Sequence, residues 1–146
     1  MMSQQSRIVV VGAAQLGPIQ KSDTRSSVVE RLIALLRQAK DRSCDLVVFP
    51  ELALTTFFPR WFVDDIAEAD HWYEKSMPSA ETQPLFDEAK KLGIGFSLGY
   101  AELTDPDTQG VVHRYNTQIL VERDGSVVAK YHKVHIPGHE HHEPNR

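Results

Sequence analysis

The 146-residue sequence predicts an α/β fold whose sheet is parallel in its first strands and gains an antiparallel hairpin at its end. Three observations carry this. Residues 7–14 (RIVVVGAA) and 46–49 (LVVF) are short, almost unbroken apolar runs rich in valine, the pattern of strands buried on both faces. Between them lies an apolar series at helical spacing. Finally, Asp124-Gly125 separates two strand-like runs, and this dipeptide is the strongest short hairpin signal in the chain.

Each element follows in order. Gly17-Pro18 ends the first run. Asp23 or Thr24 can then cap a helix whose apolar residues Val28, Val29, Leu32, Leu35, Leu36 and Ala39 recur on one face, with Arg42-Ser43 closing it. The second run stops at Pro50, which cannot donate to a continuing ladder. Residues 52–78 show no clear period and hold the aromatics Phe57, Phe58, Trp61, Phe62, Trp72 and Tyr73. A helix is expected from about Ala80, with Pro84 in an early turn, Leu85, Phe86, Ala89 and Leu92 facing inward, and Gly93 as its stop. Residues 94–101 (IGFSLGYA) read as a third strand, 104–110 as a polar loop, and 115–121 and 126–131 as the hairpin. No repeat or low-complexity segment interrupts the series.

Bulk properties narrow the function classes. A hydrophobic content of 41% with 25% charged residues is typical of a packed globular domain. The formal charge of -4 gives no footprint for nucleic acid or an anionic membrane surface. No apolar run reaches the length of a membrane span, and the first residues lack the apolar core of a secretory signal. A single cysteine, Cys44, rules out an internal disulfide framework. A cytoplasmic protein is the expectation.

The residues that could carry chemistry lie just past the ends of two strands. Glu51 follows Phe49-Pro50, at the carboxyl end of a strand, where open α/β sheets bind their ligands. Apolar neighbours there would desolvate it and suit it to general-base work. Lys133 follows the last strand in Tyr131-His132-Lys133-Val134-His135, and a fixed cation of this kind can stabilise an oxyanion. Taken singly, each has a plainer reading: Glu51 as a loop carboxylate capping a helix or pairing with Arg60, and Lys133 as one of a solvated pair with Lys130. Cys44 stands at the start of the strand that ends in Glu51, roughly 20 Å away at ~3.3 Å per residue, too far to be the base's partner. It reads as an inert thiol. The segment 57–61 could line a ligand pocket or serve as core, and position does not separate the two.

His132, His135, His139, His141 and His142 with Glu140 and Glu143 invite a metal reading, but the spacing is not the zinc arrangement His-Glu-x-x-His. Adventitious binding by a polar tail is the better account, so no metal is assigned. No glycine-rich phosphate loop opens a helix.

Taken together, Asp45-Leu46-Val47-Val48-Phe49-Pro50-Glu51-Leu52, Lys130-Tyr131-His132-Lys133-Val134-His135 and the opening strand that ends in Gln15 resemble the nitrilase superfamily of carbon–nitrogen hydrolases. Within it, the run from Glu51 to Trp61, the segments Leu92-Gly93-Ile94-Gly95-Phe96 and Leu98-Gly99-Tyr100-Ala101-Glu102-Leu103, and the ending Ile136-Pro137-Gly138-His139 are similar to N-carbamoyl-D-amino acid hydrolases. The resemblance implies Glu51 as general base, Lys133 as oxyanion-stabilising cation and His135 as a pocket residue near the carbamoyl group. It implies no metal or organic cofactor, a small N-carbamoyl amino acid as substrate, and a homo-oligomer. The fold implied is an α/β one, the N-terminal half of an α-β-β-α sandwich, with residues 1–146 forming a partial domain. The nucleophilic cysteine and the arginines that hold the substrate carboxylate are expected in a second half beyond residue 146. Half a sandwich would leave one sheet face uncovered, an expected site of association. Two alternatives stand beside a carbamoylase: a non-catalytic fragment acting by association, and a sister amidase or nitrilase.

Overall fold

A computed structural model describes residues 8–135. Five strands form one sheet in the order β1 (Val11–Ala13), β2 (Leu46–Val48), β3 (Gly95–Leu103), β4 (Arg114–Val121) and β5 (Val127–His132). The first three are parallel, and β4 and β5 follow antiparallel, as the sequence predicts.

Helix α1 (Arg25–Asp41) connects β1 to β2, and α2 (Gln83–Leu92) precedes β3. Of the two candidate caps, Thr24 holds the end of α1 by accepting from the Ser27 amide, while Asp23 accepts from Gln20 and Arg31. The α2 helix begins three residues later than its composition suggests, because Ser79 and Thr82 bond to each other in a turn that uses Ala80 as a loop residue. Pro84 stands in its first turn and Gly93 caps its end.

Both helices cover the same face of the sheet. Val28, Val29, Leu32 and Leu36 of α1 and Leu85, Phe86 and Ala89 of α2 pack on Val47, Phe96, Leu98, Ile119 and Val121. Side chains alternate along a strand, so the neighbours of these residues point the other way. On that second face no helix of the described residues covers Val11, Val48, Leu120 and Tyr131, which are 53%, 39%, 37% and 56% exposed. Burial of the opening run on both faces is therefore overturned. Residues 8–10 lie outside the ladder, Ile8 is 83% exposed, and β1 is a sheet edge with only one face beneath a helix.

Residues 52–78 are more ordered than their lack of period suggests. They hold two 3₁₀ helices, Phe58–Arg60 and Ile66–Trp72, the second capped by Asp65. Phe58 stacks on Trp72 at 5.0 Å and tilts against Tyr73 at 5.2 Å, forming a satellite core with Leu52, Ala69 and Ala101. Arg25, the first residue of α1, fastens this segment down. Its guanidinium pairs with buried Glu74 at 2.5 Å and donates to the carbonyls of Leu54 and Trp72.

The hairpin contains one irregularity that matters below. Val121 pairs with Val127 while Leu120 pairs with Ala129, so Val128 is an extra residue, a β-bulge. The turn itself is the expected one, with Gly125 at φ 86° and Asp124 accepting from the Ser126 amide.

Candidate active site

The carboxyl end of β2 does not simply leave the sheet. It arches over β3. The Phe49 amide donates to the Ser97 carbonyl at 2.9 Å and the Ala53 amide to the Gly99 carbonyl at 2.8 Å. Between these anchors, Pro50, Glu51 and Leu52 cross above Gly99. A Cβ on Gly99 would stand 2.9 Å from the Pro50 carbonyl oxygen and 3.0 Å from Glu51 Cα, so this close approach requires glycine. Leu52 completes the turn at φ 48°, a left-handed conformation that costs a non-glycine residue ~1–2 kcal/mol. Its side chain is buried in the satellite core, which holds the strained turn in place.

Lys133 arrives from the other side. Its backbone amide donates to the Asn116 carbonyl at 2.8 Å, continuing the β4–β5 pairing by one residue. The side chain then reaches Glu51, with Nζ 2.6 Å from Oε1. Asn116 donates to the same oxygen through Nδ2, also at 2.6 Å. The pair is accessible but not fully solvated, with Glu51 and Lys133 side chains 45% and 27% exposed. A carboxylate and an ammonium 82 residues apart in sequence are thus brought into contact on the face of the sheet opposite α1 and α2. Arg60 donates to the Phe57 carbonyl, and Lys130 parts from Lys133, turning to Glu102 on the helix-covered face.

Beside Glu51 lies an open cavity of about 180 Å³, with Leu16, Ile19, Phe57 and Arg60 among its walls. Within the aromatic segment, Phe58 is core, while Phe57 packs against that core and also lines this cavity.

A family model described as carbon–nitrogen hydrolase matches residues 10–146. The chain belongs to that family. Among similar proteins, the arylacetone-specific nitrilase of Alcaligenes faecalis is 34% identical over 107 residues, covering 67% of this chain and 29% of the nitrilase. The human omega-amidase NIT2 is 26% identical over 118 residues, 81% of this chain and 38% of that protein. A carbon–nitrogen hydrolase from Helicobacter pylori G27 shares the fold with a TM-score of 0.69 at 20% identity, over 94% of this chain and 43% of its own. Nit3 of Saccharomyces cerevisiae does so with a TM-score of 0.66 at 23% identity, over 87% and 44%. This carbon–nitrogen hydrolase chain therefore spans less than half the length of these relatives.

Other sequence-predicted residues fall as follows. His135 lies exposed in the bend after β5 and makes no hydrogen bond or ion pair among the described residues. Cys44 sits at the far end of β2, half-buried against Gly12 and Ala39 under α1. The histidines at 139, 141 and 142 lie outside the described residues. Among the described residues, no cluster of three metal-ligating side chains is present, and no helix is long and apolar enough to cross a membrane.

Sequence reasoning missed Asn116, Gly99 and a second charged cluster. On the helix-covered face, Glu102 accepts from Lys130 at 2.5 Å on Oε1 and from Thr117 at 2.8 Å and His132 at 3.0 Å on Oε2. Burial is the largest influence on this carboxyl and acts to raise its pKa. The hydrogen bonds from Lys130, Thr117 and His132 outweigh it together and hold the group below the ordinary carboxylate range. His132 also stacks on Tyr115 at 4.0 Å. Burial, and then the neighbouring charge of Glu102, push the Tyr100 phenol above its usual range.

Proposed function

We propose that this chain is part of an N-carbamoyl-D-amino acid hydrolase, in which Glu51 is the general base, Lys133 the oxyanion-stabilising cation and His135 a pocket residue near the carbamoyl group. The observation that carries the reading is the 2.6 Å contact between Lys133 and Glu51, which itself lines an open cavity. Family membership supports the reaction class, and the segments 51–61, 92–103 and 136–139 support the carbamoyl substrate over other members.

In the proposed cycle, Glu51 takes the proton of a cysteine thiol that residues 1–146 do not supply, since Cys44 is at the wrong end of β2. The thiolate attacks the carbamoyl carbon, and Lys133 neutralises the negative oxygen that forms. The C–N bond to the terminal nitrogen breaks, the proton held by Glu51 passes to that nitrogen, and ammonia leaves. Glu51 then removes a proton from water, which attacks the thioester and restores the thiol. The released carbamic acid breaks down to carbon dioxide and the free D-amino acid, and no metal or organic cofactor takes part. The acting form is a cytoplasmic homo-oligomer that binds neither nucleic acid nor membrane. Alone, the 146-residue chain is inactive, because such catalytic groups work as a unit.

The test is ammonia release by the intact protein from N-carbamoyl-D-amino acids, their L isomers, ω-amides of dicarboxylic acids, and nitriles. Preference for the carbamoyl D series supports the reading, and its failure against turnover of another series replaces it. The second reading, an amidase or nitrilase with the same groups, is favoured by the names of the similar proteins.

A further inference from the structure

Glu51 and Lys133 come from a turn and from a strand end, neither of which fixes a side chain closely by itself. One residue touches both. The Asn116 side-chain amide donates to Glu51 Oε1 at 2.6 Å, and its backbone carbonyl accepts the Lys133 amide at 2.8 Å. Asn116 lies within β4, paired with Ala101 of β3 and followed by Thr117, which pairs with His132, so its own position is set by strands on both sides. From these contacts we infer that Asn116 is a positioning residue that fixes the distance and approach of the base and the cation.

The chemistry of the side chain fits the task. An ionised carboxylate only accepts hydrogen bonds, so the amide must present its nitrogen to Glu51. The amide orients the carboxylate without adding a charge that would compete with Lys133. It is also short, with two side-chain torsions, and so transmits the position of β4 to the carboxylate more closely than a longer donor would. Asn116 and Lys133 both donate to Oε1, so a shift of the amide moves the same oxygen that the ammonium holds. Aspartate at this position would keep the shape and lose the donor, placing two like charges together.

The test uses the intact protein and the variants Asn116→Leu and Asn116→Asp. The activity arm rests on the function proposed above. The donor to a charged group is lost in Asn116→Leu, so kcat should fall roughly tenfold to a hundredfold with KM within about twofold. The acid limb of the rate profile should move to higher pH, an effect that loosened packing alone would not give. Asn116→Asp should lose more than Asn116→Leu at neutral pH and recover part of the difference as pH falls. A second arm needs no substrate: the carboxyl carbon of Glu51, assigned by NMR through its loss in Glu51→Gln, should titrate at higher pH in both variants. If wild type hydrolyses none of the compounds, the proposed function fails, and this titration still decides the role of Asn116. A folded Asn116→Leu or Asn116→Asp variant with unchanged kcat, unchanged rate profile and an unmoved Glu51 titration would overturn the inference.

Discussion

Two carboxylates, Glu51 and Glu102, each meet a lysine of the same short stretch of chain, yet they are built for opposite ends. Glu102 lies on the helix-covered face with its side chain 14% exposed and donors on both oxygens. Glu51 lies on the face opposite the helices, 45% exposed, with Lys133 and Asn116 both donating to Oε1. A carboxylate enclosed by three donors is an anchor. A carboxylate that stays 45% exposed beside a cavity has the access that the proposed base requires. The alternation of a β-strand produces the difference: Lys130 and His132 point to one face, and Tyr131 and Lys133 to the other. The anchor also bears on Glu51, because pinning Lys130 and His132 to Glu102 fixes the register that delivers Lys133.

This contrast can be broken at several points. The largest effect belongs to Glu51→Gln, which in the intact protein should lower kcat/KM by about 10²–10⁴-fold while thermal stability barely changes. Loss of stability comparable to a core mutation, measured by calorimetry, would instead make Glu51 structural. Next is Gly99→Ala. A methyl group there must push the Pro50–Glu51 arch away, and a shift of ~1 Å in a reacting group costs on the order of 10²-fold in rate. Steady-state kinetics should show the loss in kcat with the fold intact by circular dichroism.

Glu102→Gln reverses the pattern. Losing charge-assisted bonds should cost about 1–3 kcal/mol in denaturant unfolding, with activity falling only as far as β5 loosens. The smallest effect is on acid sensitivity. The folded-state pKa of Glu102 is depressed, so its contribution to stability is fully present above the ordinary carboxylate range. That contribution disappears as pH falls through the lower, folded value. Denaturation midpoints followed into acid should therefore fall less steeply in Glu102→Gln than in wild type.

How far the sequence foretells all this depends on the range of the forces involved. Strands, helices and the hairpin are written in local periodicity, and Thr24, Gly93 and Asp124-Gly125 mark their ends. Local pattern cannot report which face of an apolar strand finds a cover, so residues 8–11 read as buried and emerge exposed. The candidate site divides in the same way. Glu51 and Lys133 are visible because each follows a strand, and family resemblance joins them. Asn116 carries no such mark: it is a polar residue in a half-buried strand, and its partner is 65 positions away in the chain. Gly99 could have been suspected as a glycine inside a strand, a common sign of close backbone approach. Its neighbour, however, is the turn after β2, which only the tertiary fold brings near. The Glu102 cluster is hidden because two of its donors, Lys130 and His132, sit beside Lys133 in sequence and look like one patch of charge.

The bulge at Val128 carries a consequence for how this hairpin can vary in length. It lets Val121 face Val127 and Leu120 face Ala129 although the two strands contribute unequal numbers of residues. Upstream of it, the turn has slack that a lost or gained residue can take up. From Ala129 onward there is none: one residue more would exchange the faces of Lys130, His132 and Lys133 together, and two would restore the faces but carry the ammonium ~7 Å beyond its carboxylate. Natural variation in chain length at this hairpin should therefore collect between positions 122 and 128, while the five positions that follow keep a fixed count even where their side chains change.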